Sequence, residues 1–160
     1  MGEVAVQKKE TVWGELQKME ERIMQRAFDI FRGNGIFGKD LDNWLAAERE
    51  LVWKPAIELT EKDNQFEIHV AVAGIDPKDL NVEVTSEELL VKGETKTEKK
   101  EQKGEVHTSE LQTGSLFRSI RFPKKVDPDK VKAEIKNGML TVVAPIAEGA
   151  KSRKVSVQAA

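Results

Sequence analysis

Ala133-Glu134-Ile135-Lys136-Asn137-Gly138-Met139-Leu140-Thr141-Val142 sets an Asn-Gly pair between two alternating apolar runs. Both residues of such a pair accept positive φ, which a two-residue hairpin demands, so the stretch predicts two antiparallel strands joined by a tight turn. Beyond it runs a polar tail in which Val155-Ser156-Val157 stands among Lys151, Ser152, Arg153, Lys154 and Gln158. Two valines one residue apart point the same way from an extended chain and are too few to make a core. They read as a plug for a groove elsewhere.

Upstream of the hairpin the same period of two continues. Ala56 to Thr60, Phe66 to Ala73, Leu80 to Thr85, Leu89 to Gly93 and Ser115 to Phe122 read as strands, followed by Val131 to Ile135 and Met139 to Ala144. Short strands separated by turn signals such as Gly74-Ile75-Asp76-Pro77 and Val126-Asp127-Pro128 argue for an antiparallel sandwich. Between Gly93 and Ser115 lies a long loop in which Lys96, Lys99, Lys100 and Lys103 interleave with Glu94, Glu98, Glu101 and Glu105. The charges nearly cancel, which speaks against a phosphate-binding patch, while the length of the loop suggests a function or a solvated hairpin tip.

Before Pro55 the period is near 3.6. Val12, Leu16, Met19, Ile23 and Ile30 line one side of a helix expected over Thr11 to Phe31, and Met24, Phe28 and Phe31 widen that stripe. Gly33-Asn34-Gly35 ends it, Ile36-Phe37-Gly38 bridges, and Asp40 is expected to cap a second helix carrying Leu41, Trp44, Leu45, Leu51 and Val52. Two readings stand: helices packed on a core of their own, or an adhesive arm that meets other subunits or unfolded chains.

With 160 residues the chain accommodates one domain with extensions, and a net charge of -2 leaves no basic footprint for nucleic acid. There is no cysteine, hence no disulfide framework or thiolate, in keeping with a reducing cytosol. The first residues lack the apolar core of a signal peptide, no run reaches the length of a membrane span, and Gly2 heads no myristoylation signal, so a soluble cytoplasmic protein is expected. His69 and His107 are the only histidines and lie far apart, so no metal site is expected. No Gly-x-Ser-x-Gly elbow and no phosphate-cradling loop occurs, so neither an enzyme nor a cofactor is expected.

The hairpin Ala133, Asn137, Gly138, Leu140 and the plug Val155, Val157 together resemble the small heat shock proteins. Trp53-Lys54-Pro55-Ala56-Ile57-Glu58-Leu59 is similar to that family's opening strand, and Phe117-Arg118-Ser119-Ile120-Arg121-Phe122-Pro123 to its arginine-bearing strand. The resemblance covers roughly residues 53 to 157. It implies an all-β, immunoglobulin-like antiparallel sandwich, the α-crystallin domain, over residues 53–146, with a helical N-terminal arm over 1–52 and a flexible tail over 147–160.

Further expectations follow from the resemblance. Leu80, Val82 and Val84 with Val131, Ala133 and Ile135 border an edge groove that receives a neighbour's tail, unless one alternating set faces the core. Val106, His107 and Thr108 form a segment that crosses to a partner and pairs with its opening strand, at Ala56, Ile57 and Leu59, making a homodimer that assembles further. Arg118 sits at that interface, where its planar fork suits acidic partners. Trp13, Phe28, Phe31, Phe37 and Trp44 of the arm serve assembly and clients. The implied activity is that of a holdase which keeps unfolding proteins from aggregating without ATP and leaves refolding to ATP-dependent chaperones. A sandwich-type adaptor for one folded partner and a stress protein lying on a membrane surface through its first helix are the alternatives.

Overall fold

The computed structural model describes residues 2–94, 104–109, 114–151 and 155–159. In chain order the strands are β1 (Gly2–Val4), β2 (Val6–Lys8), β3 (Val52–Trp53), β4 (Ile57–Lys62), β5 (Gln65–Ala71), β6 (Leu80–Val84), β7 (Glu88–Glu94), β8 (Ser115–Arg121), β9 (Lys132–Lys136) and β10 (Met139–Pro145). Helices α1 (Trp13–Asn34) and α2 (Asp40–Leu51) lie between β2 and β3.

The Asn-Gly hairpin forms as its chemistry requires. Asn137 and Gly138 take φ of 51° and 75°, and β9 pairs antiparallel with β10, Lys136 opposite Met139. A Cβ on Gly138 would lie 3.1 Å from Ala73 Cβ, so both backbone sign and space favour glycine there. From this hairpin one sheet extends in the order β1-β9-β10-β5-β4; the other runs β2-β6-β7-β8-β3. All seven strands expected from alternation are present and pair antiparallel among themselves; only the short β2 and β3 join their neighbours in parallel.

Alternation fixes which side chains meet between the sheets. Phe66, Ile68 and Val70 of β5 and Leu140, Val142 and Ala144 of β10 face Val82, Val84, Leu89 and Val91 in one buried cluster. Phe66 stacks on Phe122 with ring centroids 5.7 Å apart, joining the two layers. Pro55 separates β3 from β4, so the expected opening strand divides between the two sheets.

Residues 2–8, assigned to the arm by sequence alone, are strands of the sandwich. The helices differ from expectation at their ends. α1 continues through Gly33 and Asn34 and stops at Gly35, whose φ of 64° lets its N–H reach the Phe31 carbonyl at 2.8 Å. Asp40 is the first residue of α2 rather than its cap; no side chain caps that helix, and Asp40 and Asp42 act on its first turn through charge alone. Met19 and Ile23 of α1 meet Ala47 of α2 and Val52 in a second, smaller core against which Phe117 of β8 packs. The helical hairpin therefore has a core of its own and also leans on the sandwich.

Candidate functional site

β6 and β9 belong to different sheets, and each would be an edge strand but for residues 2–8. β1 pairs antiparallel with β9, Gly2 opposite Ile135 and Val4 opposite Ala133; β2 pairs in parallel with β6, Val6 opposite Val82 and Lys8 opposite Val84. The segment thus crosses from one sheet to the other and closes that side of the sandwich. Beneath it Leu80, Val82 and Val84 and, from the other sheet, Val131, Ala133 and Ile135 all face the core and are buried. Val4 is only 5% exposed in the same cluster, and Val6 packs against it half-buried. The expected groove residues are therefore together, and the N-terminal strap covers them. Sequence reading missed Val4 and Val6. The signal that could have found them is that Val4-Ala5-Val6 repeats the spacing of Val155-Ser156-Val157.

The tail itself is elsewhere. Val155 and Val157 are 80% and 93% exposed, without secondary structure, so the chain does not seat the expected plug against its own expected groove residues.

The residues expected at a dimer interface lie on open edges. β4 ends its sheet, with Ala56 exposed and Ile57 and Leu59 half-buried. Val106, His107 and Thr108 are exposed and form no strand; residues 95–103 and 110–113 of the same loop lie outside the described residues, Lys96, Glu98, Lys99, Lys100, Glu101 and Lys103 among them. Arg118 shares the inward face of β8 with Leu116 and Ile120, opposite Val91, and is half-buried. Its guanidinium makes no ion pair with a described residue.

In the arm, Trp13, Phe28 and Phe37 are 62%, 53% and 85% exposed, whereas Phe31 and Trp44 are half-buried. Phe31 packs edge-on against Phe37 at 5.4 Å between centroids, and with Phe28, Ala27 and Trp44 it lines an open apolar hollow between the helices. Polar contacts hold this hairpin in place. Arg26 Nε donates to Glu50 Oε2 at 2.6 Å, linking α1 to α2, and Lys92 of β7 lies 3.2 Å from Glu15 of α1. The hydrogen bond from Lys92 holds the Glu15 carboxyl below its ordinary value of 4.5, and that from Arg26 does the same for Glu50. Both folded values lie below the unfolded ones, so the pairs stabilise the docked hairpin above the ordinary glutamate range and lose that effect as pH falls through the depressed values. Exposure keeps the effect small. Acidification from about pH 6 to about pH 3 is expected to lower the thermal midpoint, with a shallower slope in an E15Q/E50Q chain. Equal slopes would remove these carboxylates from the account.

Among the described residues no three histidine, aspartate or glutamate side chains converge on a metal-sized space. His69 Nδ1 lies 3.2 Å from Thr141 Oγ1 and Nε2 2.9 Å from Glu67, contacts that occupy both ring nitrogens. No helix among the described residues is long and apolar enough to cross a membrane.

Known proteins are similar to much of this chain. Heat shock protein 16 of Schizosaccharomyces pombe is 30% identical over 128 residues, 79% of this chain and 87% of that protein. Small heat shock protein C2 of Rickettsia felis is 29% identical over 113 residues, 71% of this chain and 72% of its own length. The crystal structure of a small heat-shock protein from Xylella fastidiosa, described as having a distinct high order structure, superposes with a TM-score of 0.54 at 31% identity, covering 67% of this chain and 98% of that one. A family of unknown function, DUF2934, matches residues 18–52, the helical hairpin alone. Since the Hsp20/alpha crystallin family model matches residues 58–158, from β4 through the exposed valines of the tail, the chain belongs to that family, the small heat shock proteins.

Proposed function

We propose that this chain is an ATP-independent holdase: a homodimer, built by exchange of the Val106–Thr108 segment onto the β4 edge of a partner, that assembles into larger homo-oligomers through its tails. The observation that carries the holdase reading is the exposure of aromatic side chains on the helical hairpin, Trp13 at the start of α1 and Phe28 and Phe37 near its far end, beside a sandwich with a buried core. Apolar side chains presented this way bind partly unfolded proteins because association removes apolar surface of both from water, and no nucleotide takes part in that step. A held client is passed to ATP-dependent chaperones for refolding. The role requires no cofactor and no catalytic residue, and the absence of cysteine suits the reducing cytoplasm where such clients arise.

Assembly rests on weak contacts. Burying one valine contributes about 1.5–3 kcal/mol before ordering costs, so a single Val155-x-Val157 tail holds poorly. Several tails on linked dimers raise one another's effective concentration, and the whole is stable while single contacts open. Isoleucine in place of each valine would add about 0.8 kcal/mol per buried methylene, so valine favours rapid subunit exchange.

The test is to heat a labile enzyme with the purified chain and no nucleotide while recording turbidity, with native mass spectrometry following the oligomers. Suppressed turbidity is expected, lost in a W13S/F28S/F37S chain whose melting stays near the original because the three side chains are exposed. V155A/V157A is expected to shift the mass distribution toward dimers. A chain that stays monomeric and lets the enzyme precipitate at every ratio would end the proposal.

A further inference from the structure

We propose that residues 2–8 are an intrachain cap which must leave the groove before the Val155-x-Val157 tail of a second copy can enter it. The inference rests on the reading of that tail as a plug.

The cap and the tail offer the groove the same chemistry. Each is a Val-x-Val triplet with a small central residue, Ala5 in one and Ser156 in the other. One is seated, with Val4 5% exposed against Ala133; the other stands in solvent, with Val157 93% exposed. Occupancy is also exclusive at the backbone. The cap takes up the ladder edge of β9 through β1 and that of β6 through β2, so an incoming extended segment finds neither edge free while the cap is in place.

The attachment is built to open. It consists of two strands of three residues each, in which Glu3, Gln7 and Lys8 are exposed. Its ion pair, Lys8 to Asp129 at 2.9 Å, lies on the surface, where such pairs contribute little. Segments with few buried contacts belong to the low end of local opening free energies. Being tethered, the cap outcompetes a single external tail through effective concentration, and it yields when several tails are presented together. β2 leads through residues 9–12 directly into α1, so cap and helical arm are mechanically joined.

The sequence contains no cysteine, which permits a covalent test in the full chain. Glu3 and Glu134 are register partners on the antiparallel β1–β9 pair and both are exposed. Facing Cα atoms in such a pair lie about 4.5–5.5 Å apart, within the span of a disulfide. In an E3C/E134C chain the oxidised form is expected to bind a fluorescein-labelled peptide of residues 147–160 at least about tenfold more weakly than the reduced form by anisotropy, with reductant restoring binding. Val6→Ser, which loosens the cap without a crosslink, is expected to tighten peptide binding about tenfold over the unmodified chain. Equal affinity in oxidised and reduced forms, or in the Val6→Ser and unmodified chains, overturns the cap and leaves the plug reading intact. Absence of binding in the reduced, Val6→Ser and unmodified chains alike overturns the plug reading and the cap with it.

Discussion

Lys92→Met is expected to lower the free energy of unfolding by about 3 kcal/mol, a large loss for a substitution that keeps the aliphatic stem. The reason is Glu83, whose side chain is 4% exposed and whose Oε1 lies 3.4 Å from the Lys92 ammonium. Its remaining cation, Lys9, is at 3.9 Å and half in solvent, and Glu83 Oε2 has no hydrogen-bond partner. Removing Lys92 therefore leaves a buried carboxylate with one distant counter-charge, and it also releases Glu15 of α1 from its 3.2 Å contact. A buried pair can often be exchanged for apolar residues at little cost, whereas breaking it from one side is costly. So Glu83→Leu added to Lys92→Met is expected to recover most of the loss. Urea unfolding of the single and double variants decides the matter: an unchanged midpoint in Lys92→Met removes the buried pair from the account of stability.

Glu83 also marks what sequence can and cannot tell. The alternation of Leu80, Val82 and Val84 placed β6 correctly in the sandwich, and the Asn-Gly pair at 137 and 138 placed the final hairpin, because both signals depend only on neighbours in the chain. Glu83 falls on the other face of β6, where a strand of an ordinary antiparallel sheet meets water; it is buried because Lys9 and α1 lie over it. β1 and β2 were illegible for a related reason. Three residues are too few for an alternation to register, and what makes Gly2–Val4 and Val6–Lys8 strands is pairing with β9 and β6, remote in sequence. For α1, Gly33-Asn34-Gly35 offered two places to stop; the chain used the second, since a glycine within a helix costs only about 1 kcal/mol and Gly35 alone adopts the left-handed conformation. The six residues expected to border a groove lie together but all face the core, and the segment that covers them was not legible. The two valines of the tail, singled out by their spacing, are exposed within one chain, and their proposed role between chains is a matter for native mass spectrometry.

Arg118→Ala is expected to weaken the proposed dimer by about 3 kcal/mol, roughly a hundredfold in dissociation constant, while changing the stability of the single subunit much less. Within one chain the guanidinium has little to lose. It lies half-buried on the inward face of β8, past the two residues that β3 covers, where the edge of the sheet is open, and no described residue pairs with it. A charge held so close to the core beside an open edge is stabilised best by a carboxylate from outside, and a planar fork donates to two oxygens at once. In the dimer, truncation would leave that partner carboxylate desolvated and unpaired, which is where the penalty arises. Arg121 supplies the control: it lies on the same strand, exposed, on the opposite face, and Arg121→Ala is expected to leave association unchanged. Arg118→Lys should fall between, since the charge is kept and the fork is lost. Dilution series followed by native mass spectrometry, together with urea unfolding, separate the two effects. If Arg118→Ala dissociates no sooner than the Arg121→Ala control, the guanidinium has no part in subunit pairing; if it merely unfolds the subunit, its role is structural.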